Sequence, residues 1–89
     1  MELICRIKEQ EAAVVRGETK KYTIVGFRLV SGGEEFYAEL VSEGEVQVQQ
    51  YSKDYYYIAY MSLTVRDYTD KNNVKRYENR IRLNRLVIL

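Results

Sequence analysis

Histidine, tryptophan and proline are all missing from these 89 residues, and cysteine occurs once. Without histidine the commonest general base is gone and a zinc site loses its usual nitrogen donor. Acid–base work would fall to carboxylates, and the paired ones, Glu34-Glu35 and Glu43/Glu45, lie in segments that read as a turn and a helix cap. No glycine-rich phosphate loop is present either. No catalytic residue, metal or other cofactor is therefore expected, and the chain reads as a binding protein rather than an enzyme. A single cysteine excludes an intramolecular disulfide, and Cys5, inside the apolar run Leu3-Ile4-Cys5, reads as a buried and inert thiol. No window approaches the roughly 18 consecutive apolar residues of a membrane span, and no basic start leads into a long apolar stretch. A cytoplasmic protein without membrane contact is the expectation. With no proline and five glycines there is no linker or repeat, so residues 1–89 are read as one domain. At this length only roughly 60–65% of the unfolded surface can be buried, which makes a homo-oligomer, a dimer or tetramer, a natural expectation.

What the chain does contain is unevenly distributed charge and many tyrosines. Residues 66–89 hold seven basic side chains (Arg66, Lys71, Lys75, Arg76, Arg80, Arg82, Arg85) against three acidic ones, a balance of +4. Residues 34–54 hold six acidic side chains against Lys53 alone, a balance of −5, although the whole chain carries only +1. One side could attract a polyanion while another repels it. Nine tyrosines and two phenylalanines accompany these charges. Stacking on a base contributes about 1–3 kcal/mol and tolerates any sequence, so a few exposed rings beside arginines would suffice for binding.

Periodicity predicts an all-β chain with one short helix. A first strand is expected over about residues 2–8, where Leu3, Cys5 and Ile7 alternate with polar side chains. Arg16-Gly17-Glu18-Thr19 reads as a turn. Tyr22 to Val30 reads as the second strand, with its phase slipping from Tyr22 and Ile24 to Phe27 and Leu29 at a bulge on Gly26. Gly32-Gly33 makes a tight connection to a third strand near residues 35–40, where Phe36, Ala38 and Leu40 share a face. Ser42 and Glu45 stand at capping-box spacing, with Val41 and Val46 placed as a hydrophobic staple, which predicts a short helix up to about Tyr51. The fourth strand, Tyr55 to Asp67, sets Tyr57, Ala59, Met61, Leu63 and Val65 on one face and Tyr56, Ile58, Tyr60, Ser62, Thr64 and Arg66 on the other. Asp70-Lys71-Asn72-Asn73 reads as a hairpin turn. The closing strand runs from Lys75 to Leu89, with Ile81 and Leu83 inward before a second phase slip to Leu86 and Ile88. Three strands, a helix and a long terminal hairpin match the five-stranded oligonucleotide/oligosaccharide-binding (OB) β-barrel, with the helix between strands three and four.

At this point the chain resembles the bacterial single-stranded DNA-binding protein family. The resemblance runs through Leu63, Arg66, Tyr68, Asp70-Lys71, Val74-Lys75-Arg76-Tyr77, Ile81 and Ile88-Leu89, and upstream through Phe27-Arg28-Leu29-Val30, Glu35-Phe36, Tyr51 and Lys53. It implies an oligomeric OB barrel that binds single-stranded DNA, with Phe36 and Tyr68 stacking on bases and Arg66 meeting phosphates. The loop Ser31-Gly32-Gly33-Glu34 is shorter than the family's, Met61 stands for a usual glycine and Tyr60 for a usual acid. The sequence ends at Leu89, where the family continues into a linker and acidic tail, so a reduced member of phage or mobile-element type, or a primosomal accessory relative, is expected.

The candidate nucleic-acid contacts are Phe36, Tyr56, Tyr60, Arg66, Tyr68, Lys75, Arg76, Arg80 and Arg82. Tyr22, Tyr51, Tyr57 and Tyr77 read instead as core. The partner expected is single-stranded DNA, with RNA as a possible substitute. The alternative is an OB-type interaction module of a replication or mobile-element complex that has lost its nucleic acid, with the row Tyr56, Ile58, Tyr60 forming a subunit contact.

Overall fold

In the computed structural model, residues 1–89 form six strands and no helix: β1 (Glu2–Gln10), β2 (Val14–Arg16), β3 (Tyr22–Ser31), β4 (Glu34–Glu43), β5 (Tyr57–Thr69) and β6 (Lys75–Ile88). β1 pairs antiparallel with both β3 and β5, β5 with β6, and β3 with β4. A parallel bridge between Glu39 and Arg82 joins β4 to β6, so the sheet closes in a ring. β2 lies outside the ring order, extending the edge of β3 through Val14–Arg16.

Local chemistry sets each turn. Gly32 and Gly33 both take positive φ, 59° and 82°, the geometry a two-residue hairpin loop needs, and they join strands paired from Ser31↔Glu34 onward. At the far hairpin Asn73 adopts φ 62°, and the Asp70 carboxylate accepts the N–H groups of Asn72 and Val74 at 2.9 and 3.0 Å. The second oxygen of Asp70 accepts from Arg76 Nε at 2.8 Å. Arg76, with help from the two amides, therefore holds the Asp70 carboxyl below its ordinary value of 3.8. A depressed carboxyl stabilises the fold above the unfolded pKa and loses that contribution as pH falls through the lower folded value. The difference in melting temperature between the native chain and Asp70→Asn is thus expected to be full at neutral pH and to shrink as pH falls below 3.8. Thermal melts across that range measure it.

The core is one cluster inside the ring. Cys5 and Ile7 of β1, Val25, Phe27 and Leu29 of β3, Ala38 of β4, Tyr57, Ala59 and Met61 of β5, and Leu83 and Leu86 of β6 are all buried. Burial raises the Cys5 thiol pKa, which leaves it protonated and inert. Tyr57 donates its hydroxyl to the Ser52 carbonyl at 2.6 Å, so the ring is buried without orphaning its polar tip.

The expected helix after β4 does not form. Ser42 and Glu43 remain in β4, opposite Thr23 and Tyr22, and Gly44 turns the chain at φ 79°. The Val46 amide, which would have closed the first helical turn onto the Ser42 carbonyl, is instead taken by buried Thr23, whose Oγ1 accepts from Val46 N–H at 3.0 Å and donates to the Gly44 carbonyl at 2.7 Å. Gln10 pins the following irregular segment, donating to the Gln49 carbonyl and accepting from Tyr51 N–H, each at 2.9 Å. Val48 and Tyr51 then pack on the core. The Tyr51 ring stands edge-on to Phe27 and Tyr57 at 5.9 Å from each.

Two phase readings also change. β3 shows no slip at Gly26: Thr23, Val25, Phe27 and Leu29 point inward throughout, and Tyr22 and Ile24 point out. The irregularity sits on β1 instead, between Ile7 and Glu9. The second slip is present, as a bulge where Tyr60 and Met61 meet Arg85 and Leu83.

Beyond that bulge the β5–β6 hairpin leaves the ring. β1 pairs with β5 only up to Tyr60, and the one backbone pairing of β4 with β6 is Glu39↔Arg82, so most of residues 62–69 and 75–81 pair along the backbone only with each other. The projecting ribbon contributes to extents of 44 × 31 × 19 Å. Leu63 and Val65, read as core, are consequently 67% and 65% exposed, and Tyr77 is 67% exposed. Ile88 is exposed too.

Candidate nucleic-acid interface

Directly opposed residues in an antiparallel pair project to the same side, so the β5–β6 register sorts the ribbon's side chains into two faces. One face carries Ser62/Arg82, Thr64/Arg80, Arg66/Glu78 and Tyr68/Arg76, and the other Leu63/Ile81, Val65/Asn79, Asp67/Tyr77 and Thr69/Lys75. Arg66, Tyr68, Arg76, Arg80 and Arg82 therefore share one surface. Lys75 lies on the opposite one, ion-paired to Asp67 at 3.3 Å with its ammonium 5.7 Å from the Tyr77 ring centre. Tyr60 continues the arginine-bearing face of β5 back toward the ring, under Arg85 at 4.2 Å, and Tyr56 lies just before β5 under Arg6 at 5.3 Å. Phe36 pairs with inward Leu29 and packs half-buried on the core, so its ring is not free on the surface.

The ribbon's basic face looks onto the outer surface of β3 and β4. Between them runs an open groove of about 890 Å³, lined by Arg66 from β5, Arg80 and Arg82 from β6, Glu39 and Val41 from β4, Tyr22 and Ile24 from β3, and Arg16 and Gly17 where β2 ends. Four guanidinium groups converge on it. Arg16, Arg66 and Arg82 have no carboxylate ion pair, and Arg80 has only Glu78 at 3.8 Å. The contrast with Arg28 on the same outer surface is direct. Arg28 is matched by Glu35, through an Nε hydrogen bond of 2.8 Å, and by Glu9 at 3.8 Å. Lys8 also binds Glu35, and Lys8 and Arg28 together hold the Glu35 carboxyl below its ordinary range. Charge there is neutralised within the protein; in the groove it is left over.

Tyr37 forms the next feature along β4. Its hydroxyl donates to Glu11 Oε1 at 2.7 Å, and its phenol end lies directly over Gly26, where a Cβ would overlap both Tyr37 and Glu11. That absence of a side chain is what lets the ring cross the sheet. The Glu11 hydrogen bond, then partial burial, then the charges of Glu11 and Glu39 push the Tyr37 pKa up to about 12. The Glu11→Gln variant is expected to bring Tyr37 back toward its ordinary value of 10, measured by tyrosinate absorbance in an alkaline titration.

Sequence pattern alone does not single out Arg16 or Tyr22 as ligand contacts. A three-residue strand shows too little alternation to separate it from a turn, and a slip at Gly26 would turn Tyr22 inward, whereas β3 runs in one phase and Tyr22 points out. No group of three or more Cys, Asp or Glu side chains comes together in a metal-sized cluster. There is no helix in the chain, and so none long and apolar enough to cross a membrane. No protein-family model, curated protein or solved structure matches this chain.

Proposed function

We propose that the chain is an OB-type barrel that binds single-stranded DNA without strict sequence requirement, using the groove between β3–β4 and the β5–β6 ribbon. With short β2 set aside, the strands run around the ring in the order first, second, third, fifth, fourth, with third and fifth parallel. OB barrels bind oligonucleotides on the face of their second and third strands, framed by the first connecting loop and the last hairpin. Here those parts are β3 and β4, the segment carrying Arg16, and the ribbon carrying Arg66, Arg80 and Arg82. The observation that carries the reading is the convergence of four arginines, three without any carboxylate partner, on one groove. Arg80 and Arg82 stand two residues apart on a strand, about 7 Å, a spacing suited to successive phosphates of an extended strand. Tyr22 in the groove and Tyr68 beyond it, with Arg66 6.0 Å from the Tyr68 ring, supply flat surfaces for bases.

With no tryptophan to mask it, tyrosine emission reports binding directly. Titration with oligo-dT is expected to quench it, with log K falling against log salt by about 0.7 per neutralised phosphate, a slope near −2 to −3 for four arginines. The matching ribo-oligonucleotide separates DNA from RNA. Absence of quenching at low salt removes the reading.

A second reading concerns self-association. Exposed Ile4 and Val87 flank half-buried Ile58 across β1, β5 and β6, with Tyr56, 55% exposed, and Tyr60 beside them. An apolar patch on adjacent strands suits a two-fold contact with a second copy. Ile58→Asp is expected to turn a dimer into a monomer by sedimentation; a native chain that sediments as a monomer at high concentration removes it.

A further inference from the structure

Glu39 is the one carboxylate among the four arginines of the groove. It sits at mid-β4, opposite Gly26 on one side and Arg82 on the other. It lines the main groove and also both adjoining depressions, the one toward Glu78 and Arg80 and the one toward Glu11 and Val14. Half-buried, it makes no ion pair and no hydrogen bond, although arginines surround it. A strand whose phosphates follow the arginines cannot set a phosphate against this carboxylate, because like charges repel. What can face it is the edge of a base. The Tyr37 ring, held over Gly26 by Glu11, lies immediately beside it and offers a stacking surface.

Resting on the single-strand reading above, we infer that Glu39 makes the groove prefer guanine. An unstacked base presents its Watson–Crick edge, and a carboxylate has two acceptor oxygens and no donor. Guanine alone offers two adjacent donors there, N1–H and the 2-amino group, which two carboxylate oxygens accept together. Adenine and cytosine set an acceptor nitrogen next to their amino group, and thymine flanks its single N–H with carbonyls. Each of these turns a lone pair toward Glu39, which leaves the carboxylate desolvated and poorly paired. Glu39 is then the specificity-determining residue of the groove, while the arginines supply affinity for any sequence.

The test uses short dT strands carrying a single central dG, dI or dT, titrated by tyrosine emission against the native chain and against Glu39→Gln. Inosine keeps N1–H and lacks the 2-amino group, so it removes one of the two hydrogen bonds. For the native chain the dG strand is expected to bind about tenfold tighter than the dT strand, the scale of one bidentate base contact, with dI between them. Glu39→Gln is expected to bring all three strands together, at affinity equal to or above the native chain's for dT. Equal binding of dG, dI and dT by the native chain, or one common factor of improvement in Glu39→Gln, overturns the assignment and leaves the groove reading standing. Failure of every strand to bind at low salt overturns the groove reading and the assignment with it.

Discussion

Reversing Arg66 and Arg82 together, as Arg66→Glu and Arg82→Glu, is expected to weaken oligonucleotide binding at least about a hundredfold at low salt. It should also flatten the salt dependence by about 1.4 in log–log slope, since about 0.7 is lost with each phosphate contact. Both effects follow from the groove's composition. Neither guanidinium has a carboxylate partner within the protein, so their charge is available to a ligand, and reversal puts two repulsive groups beside Glu39. Neither makes a hydrogen bond, so the fold is expected to tolerate the change. Lys75→Glu, a single reversal, is the control for the ribbon's other face, where Lys75 is already bound to Asp67; the comparison is made per charge reversed. Lys75→Glu should cost far less affinity. Filter binding or tyrosine quenching across a salt series measures all three proteins, and equal losses per reversed charge in the two variants would contradict the assignment of the face.

Truncating Phe27 to alanine is expected to destabilise the fold by about 3–5 kcal/mol, while Leu63→Ala stays within about 0.5 kcal/mol. The sequence alone would treat these residues alike, since both lie on alternating apolar faces. Phe27 is fully buried and meets Tyr51 edge-on, so its loss opens a cavity at the centre of the ring. Leu63 stands on the projecting ribbon, past the last β1 pairing at Tyr60, where little covers it. Denaturant unfolding measures both, and a large Leu63 effect would mean that the ribbon's apolar face is covered in solution.

Much of the strand plan was legible because local chemistry and tertiary structure agree. Gly32-Gly33 and Asp70 to Asn73 adopt the turn geometry their residue types favour, and the alternation in Tyr57 to Met61 marks buried positions. The failures share a cause: the decisive partner was distant in sequence. Ser42 and Glu45 have helix-cap spacing, yet Thr23 captures Val46 N–H from 23 residues away and Gly44 breaks the turn. Gly26 does mark a special site, but what needs the missing Cβ is Tyr37 crossing from the neighbouring strand rather than a bulge. Leu63, Val65 and Tyr77 keep the alternation of a buried face beyond the point where the ring ends, and no one-dimensional pattern records that point. For the site, the basic character of the terminal hairpin was visible and its division into two faces followed from register. Arg16, Tyr22 and Glu39 join that hairpin only through ring closure. Phe36 is drawn inward by its pairing with Leu29.

Backbone amide shift mapping by NMR, with an oligo-dT strand added to the isotopically labelled chain, tests the central claim most directly. The largest changes are expected at Arg16, Tyr22, Glu39, Arg66, Arg80 and Arg82, with Leu63, Val65 and Tyr77 on the ribbon's other face nearly still. Saturable shifts confined to that other face, or to Ile4, Ile58 and Val87, would contradict it.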